Sequence, residues 1–231
     1  ICKISGVAGV SVVVIDHGET IFQENFGYRD VAKKEPVTSD TIFHIGSLTK
    51  GFTGACIDRL RAQGKLSLDD LVQKHLPDAK NCDPVVAATV TIADLLGHRT
   101  GLQRADHLWL GAAGEFLLDL DQTVAVFNAL RPLASLRSRF CYNNTAYGIL
   151  GEIIAKITGQ PYHAYLKETI LDPLGMTRTI VTKDDGLPED SSLAYSTLDN
   201  GQPYNIPLPG ISGSGVLGSA GGLLSSGNDL S

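Results

Sequence analysis

The sequence contains no apolar run long enough to cross a bilayer, which takes about 20 consecutive apolar residues. It also lacks a basic excess: 19 Lys+Arg stand against 25 Asp+Glu, for a formal net charge of −6. That balance offers no electrostatic footprint for a nucleic acid. The densest basic group, Arg131, Arg137 and Arg139, reads as a solvated turn. Neither a membrane nor a nucleic-acid partner is expected. No pair among Cys2, Cys56, Cys82 and Cys141 has the close spacing of a zinc site or a redox couple. His44, His75, His98 and His107 show no H-E-x-x-H or related metal spacing, so they read as core or surface histidines, and no metal or cofactor is expected. No G-x-S-x-G elbow is present, which argues against an α/β-hydrolase. Internal repeats are absent. The cysteine usage and the lack of a visible export signal favour a reducing, cytoplasmic compartment. The chain opens at Ile1 without a methionine, so a secreted or periplasmic address stays open.

What is present suits a globular protein. The 231 residues are 43% apolar and 19% charged, enough to bury a sizeable core in one main body. Val10 to Asp16 is strongly β-branched, His17-Gly18 makes a turn, and Thr20 to Phe26 reads as a second strand, giving an antiparallel hairpin. From about Ser47 to Gln63 apolar residues recur at helical spacing, with Gly64 as the stop. Shorter helices are expected over 66–77 and over 91–96, the latter with Thr91 and Asp94 placed as a capping box. Further helices are expected over 121–130, over 144–158 with Asn144 as N-cap and Gly159 as stop, and over 161–171. Beyond Pro173 glycine, serine and proline dominate, with a turn at Asn200-Gly201 between two short strands. The ends read as β and the middle as helical. The expected class is α+β: an antiparallel sheet flanked by helices, plus a helical lobe. The organisation reads as 1–46 for the N-terminal strands, 47–180 for the mainly helical lobe, and 181–231 for a return towards the sheet.

Two stretches carry chemistry. In Ser47-Leu48-Thr49-Lys50 a serine and a lysine sit three apart where a helix begins, so the hydroxyl and the amine share a face. A serine attacks poorly unless a base removes its proton, and the helix N-terminus favours negative charge beside it. Taken alone, S-x-x-K also fits an N-cap followed by a surface lysine. The second stretch, Tyr142-Asn143-Asn144, sets a tyrosine and an asparagine two apart on a loop entering a helix. By itself it reads rather as a packed tyrosine and a capping asparagine.

Together, and in this order, the two resemble the nucleophile and Y-x-N motifs of the serine β-lactamase and penicillin-binding-protein superfamily. The likeness is to its class C β-lactamase-related branch, which also holds esterases, D-aminopeptidases and fungal acyltransferases. Leu95-Leu96-Gly97-His98-Arg99-Thr100-Gly101-Leu102 is similar to the family's L-L-x-H-T-S-G-L loop, and residues 219–230 to its A-G-G-L-x-S-T-x-x-D-L stretch. The resemblance implies that Ser47 accepts the acyl group, that Tyr142 is its general base and that Lys50 assists. A free phenol titrates near pKa ~10, so a tyrosine base needs a cation beside it. It further implies that Asn144 binds substrate or orients Lys50 and that the Ser47 backbone N–H is one oxyanion donor; Gln103 either contacts a substrate amide or is a surface glutamine. The partner is then a small acyl substrate: an ester, an amide or a β-lactam.

One family feature is missing. No K-T-G or H-x-G third motif is found, and the sequence stops at Ser231, where the family continues into a helix and further strands. A second chain or a missing C-terminal segment would complete the sheet. The alternative is a non-catalytic member with a binding or assembly role. Two other patterns are decoys. Gly213 to Gly218 matches G-x-G-x-x-G, but Pro203, Pro207 and Pro209 spoil the preceding strand a dinucleotide site needs. The Asn143-Asn144-Thr145 glycosylation sequon coincides with the Y-x-N loop. Trp109 and Phe116 are candidates to line an acyl pocket or to pack within the helical lobe.

Overall fold

The computed structural model describes residues 2–108, 117–183, 186–208 and 210–231; Trp109 and Phe116 lie outside them. The chain opens with a short helix α1 (Cys2–Ser5) and the hairpin β1 (Gly9–Asp16) and β2 (Glu19–Asp30), followed by β3 (Glu35–Pro36) and β4 (Phe43–His44). The helical part comprises α2 (Thr49–Ala62), α3 (Val72–His75), α4 (Pro84–Thr89), α5 (Ile92–Leu96), α6 (Thr123–Ala129), α7 (Asn144–Thr158) and α8 (Tyr162–Leu166). The return segment holds β5 (Ala194–Thr197), β6 (Pro203–Ile206), the turn α9 (Gly218–Gly221) and β7 (Leu224–Ser225). The architecture is mixed α+β, with antiparallel sheets flanked by helices and an open, unclosed sheet: β1-β2-β3 form one sheet, and β4-β7 and β5-β6 form two-stranded ladders.

β-Branched valines set the hairpin register. Val10 faces Phe26 and Val14 faces Phe22 across the ladder, so these side chains share one face. The opposite face turns inward: Gln23 bonds Asn228 at 2.6 Å and Asn25 bonds Ser39 at 2.9 Å. Along the outer face runs an open apolar groove of about 970 Å³ bordered by Val10, Val12, Phe26 and Tyr28. Ser47 does not line it, so this groove lies away from the expected chemistry.

The core centres on α7. Ile149, Leu150, Ile153 and Ile154 are fully buried against Ile57 and Leu60 of α2, Leu95 of α5 and Phe127 of α6. Burying each such side chain contributes roughly 1.5–3 kcal/mol, which fixes α2 and α7 side by side. The expected stop at Gly159 holds, in left-handed conformation with φ of 73°. So does the Thr91–Asp94 capping box. The helix expected over 66–77 shrinks to Val72–His75, because Leu71 keeps an extended backbone and bridges Thr91. That over 121–130 is split between a 3-10 turn, Leu120–Gln122, and α6. Of the three arginines read as a solvated turn, Arg137 is tied down. Its guanidinium bonds the fully buried Asp94 at 2.8 and 2.9 Å, and Arg99 adds a bond of 3.2 Å. A buried carboxylate without such partners would be strongly destabilising.

Candidate active site

Ser47 lies exposed in a 3-10 turn, Gly46–Leu48, that runs into α2. The helix start expected at Ser47 moves to Thr49, because Gly46, with φ of 51°, swings the chain out of β4. The turn is pinned by the segment around α9 and β7. Ile45 N–H donates to Leu223 O at 3.2 Å, and Leu223 N–H donates to Thr49 Oγ1 at 3.2 Å. That segment comes close because α7 carries Gly151 where they meet: a Cβ there would sit 2.5 Å from Ser219 Oγ. The G-x-G-x-x-G run has the same kind of explanation. A Cβ on Gly213 would overlap Val181 O, so its first glycine serves backbone packing, not a dinucleotide.

Lys50 follows one helical turn after Ser47. It is only 8% exposed, and its ammonium donates to Ser47 Oγ at 3.2 Å, Asn144 Oδ1 at 2.8 Å and Ala220 O at 2.6 Å. An ammonium has three N–H donors, and all three are engaged. Burial lowers the Lys50 pKa from the usual lysine value, while Tyr142 and the Asp106 carboxylate oppose that push. The Tyr142 hydroxyl oxygen lies 2.5 Å from Ser47 Oγ, and Lys50 Nζ lies 4.8 Å from the Tyr142 ring centre. With Lys50 donating into Ser47 Oγ, the serine proton is free to point at the tyrosine oxygen. Residues 47, 50 and 142, distant in sequence, therefore meet around one hydroxyl.

The structure sets Asn144 Oδ1 against the Lys50 ammonium, and Asn144 is not the N-cap of α7. Asn143 caps instead: its backbone is extended and its Oδ1 accepts the Ala146 N–H at 3.1 Å. Asn144 becomes the first helical residue, and its amide is free to meet the lysine. Gln103 reaches the site through its backbone, its carbonyl accepting from Asn143 Nδ2 at 2.8 Å.

Two site residues escaped the sequence reading. His98, which the sequence alone presents as an ordinary histidine, grips the tyrosine loop through both its backbone and its ring. Its carbonyl accepts the Cys141 N–H at 2.7 Å and its Nδ1 accepts the Asn143 N–H at 3.1 Å. Its ring packs 4.4 Å from that of Tyr142 and 5.1 Å from that of Tyr147. Burial, and then the Lys50 charge, lower its pKa to about 4, in keeping with an unprotonated Nδ1. Its place in the L-L-x-H stretch was the available signal. Asp106 is the second: it accepts from Asn144 Nδ2 at 3.0 Å, and nothing in the sequence pattern marked it. Among the described residues no group of three or more His, Cys, Asp or Glu is placed to hold a metal ion.

A helical lobe and small sheets that bring serine, lysine and tyrosine to one point define a serine-hydrolase-type fold. The family model described as Beta-lactamase matches residues 2–231, and the chain belongs to that family. Membership of the β-lactamase and penicillin-binding-protein-like superfamily is consistent with its class C-related branch. The octameric penicillin-binding protein homologue from Pyrococcus abyssi superposes with a TM-score of 0.84 at 33% identity, over 99% of this chain and 52% of that one. Protein flp of Staphylococcus aureus (strain N315) is 29% identical over 202 residues, covering 82% of this chain and 38% of flp. Unguisins hydrolase ungD of Aspergillus violaceofuscus is 28% identical over 237 residues, covering 93% of this chain and 40% of ungD. The chain thus spans about two fifths of the length of these curated relatives and about half of the archaeal chain.

Proposed function

We propose that the chain carries the acylating site of a serine hydrolase or acyltransferase acting on an ester, amide or β-lactam carbonyl, with esters and acyl transfer favoured over β-lactams. The observation behind this reading is the 2.5 Å contact between Ser47 Oγ and the Tyr142 hydroxyl, beside a lysine whose three donors are all engaged. In the first half-reaction the tyrosine oxygen takes the Ser47 proton as Oγ bonds to the carbonyl carbon. The carbonyl π pair moves onto oxygen, where the Ser47 N–H, in the opening turn of a helix and without an intrahelical partner, donates to it. Collapse expels the leaving alcohol or amine, which takes the proton from Tyr142 and leaves acyl-Ser47. In the second half Tyr142 deprotonates water or another acceptor, that oxygen attacks the acyl carbon, and the returning proton regenerates the serine. The Lys50 cation stabilises negative charge on the tyrosine oxygen throughout. The Gln103 side chain contacts a substrate amide. The likeness to a fungal hydrolase agrees with this chemistry.

Steady-state turnover of a chromogenic ester tests the reading. Ser47→Ala should abolish it, and Tyr142→Phe should lower kcat by about 100-fold or more with a smaller change in KM. Equal turnover by Ser47→Ala would refute the proposal. A wild type that turns over no ester would instead favour the alternative, a non-catalytic binding role.

A further inference from the structure

The Asn144 amide has two unlike ends, and the structure gives each a charged partner. Its Oδ1 accepts from the Lys50 ammonium at 2.8 Å, and its Nδ2 donates to Asp106 Oδ1 at 3.0 Å. Rotating the amide by half a turn would set NH2 against an ammonium and an oxygen against a carboxylate, and both bonds would be lost. The Asp106 carboxylate is itself held. Arg104 Nε and Nη2 both donate to its other oxygen, Oδ2, at 2.9 and 2.6 Å, leaving Oδ1 for Asn144. The same loop grips the neighbouring asparagine, since the Gln103 carbonyl accepts from Asn143 Nδ2 at 2.8 Å. The Arg104 guanidinium carbon lies 5.6 Å from the Tyr142 ring centre, which adds a cation–π contact to the tyrosine. A run of contacts therefore passes from Arg104 through Asp106, Asn144 and Lys50 to Ser47.

We propose that Asp106 is a positioning residue for the Lys50 ammonium, acting through the Asn144 amide, with Arg104 as the clamp that keeps the carboxylate oriented. The inference rests on the acyl-Ser47 reading above. The Asp106 side chain is 25% exposed and that of Arg104 63% exposed, so their ion pair adds little stability. Its consequence is geometric and electrostatic. The ionisable groups near Lys50 are Tyr142 and Tyr147, whose ring centres lie 4.8 and 5.3 Å from its Nζ, His98, and Asp106, the carboxylate that favours the ammonium. Removing it makes the lysine easier to deprotonate.

Asp106→Asn and Asp106→Ala separate the two effects. Asparagine can still accept from Asn144 Nδ2 but carries no charge; alanine does neither. With a chromogenic ester, Asp106→Ala should lower kcat about tenfold or more, with KM changed less than about threefold. Asp106→Asn should recover most of the plateau kcat, but its alkaline limb should move to lower pH by about half a unit or more. NMR titration of the Lys50 Cε resonance supplies a readout that needs no turnover: the lysine should titrate at lower pH in both variants than in the wild type. Unchanged Lys50 titration and an unchanged kcat profile in Asp106→Ala would overturn the proposal and leave Asp106 a structural tie. Failure of the acyl-Ser47 reading looks different, because Ser47→Ala would then retain turnover whatever Lys50 does.

Discussion

Protonation of His98 should unlock the tyrosine loop and destabilise the fold together. The ring is 6% exposed, and its Nδ1 accepts the Asn143 N–H, so a proton added there would set N–H against N–H. In the unfolded chain His98 titrates near 6.5, whereas in the fold burial, and then Lys50, lower it to about 4. Between those values the unfolded chain holds a proton that the folded chain refuses. Stability is then fully present above pH 6.5 and is lost as pH falls towards 4. At about 1.4 kcal/mol per pH unit the loss amounts to roughly 3 kcal/mol across the window. His44, held near 4 by burial and by Lys183, adds to the fall in the wild type, so the His98 share must be isolated by substitution. His98→Gln keeps an acceptor for Asn143 and cannot titrate. At pH 7.5 it should cost about 1–3 kcal/mol through lost ring contacts with Tyr142, Phe140 and Tyr147. Urea unfolding at pH 7.5 and 4.5 should then show the wild type losing about 2–3 kcal/mol more than the variant. An equal loss in the two proteins would refute the placement of an unprotonated His98 behind the tyrosine.

Three further outcomes follow from the geometry. Because burial lowers the Lys50 pKa and the ammonium is the working form, ester turnover should fall as pH rises through a value below the usual lysine range; Lys50→Ala should lower kcat about 100-fold or more, as read from a pH–rate profile. Ile153→Ala, at a fully buried position on α7, should cost about 2–5 kcal/mol in urea unfolding while leaving the site residues in place. Gly151→Ala sets a Cβ 2.5 Å from Ser219 Oγ, so it should cost about 1–3 kcal/mol and, by displacing the carbonyl of the adjacent Ala220 from Lys50, lower kcat as well.

Local chemistry was legible where it was self-contained. The valine hairpin, the Thr91–Asp94 box, the stop at Gly159 and the Asn200-Gly201 turn between β5 and β6 all stand as the residues imply. Ser47, Lys50 and Tyr142 were findable because their spacing follows two motifs. What was hidden depended on distant neighbours. Which of two adjacent asparagines caps α7 was settled by Lys50, which arrives from another helix and claims Asn144. Arg137 looked solvated because its partner, Asp94, lies 43 residues earlier. His98 and Asp106 earn their roles from backbone and amide contacts that leave no periodic trace in the sequence.

The most direct test is covalent capture. The protein would be treated with a fluorophosphonate, its intact mass read, and the modified peptide mapped. One adduct per chain, on Ser47, absent from Ser47→Ala and formed much more slowly in Tyr142→Phe, is the expected result. A wild-type chain that stays unlabelled, or a label that falls on another residue and persists in Ser47→Ala, would contradict the claim that the tyrosine, lysine and serine form one nucleophile.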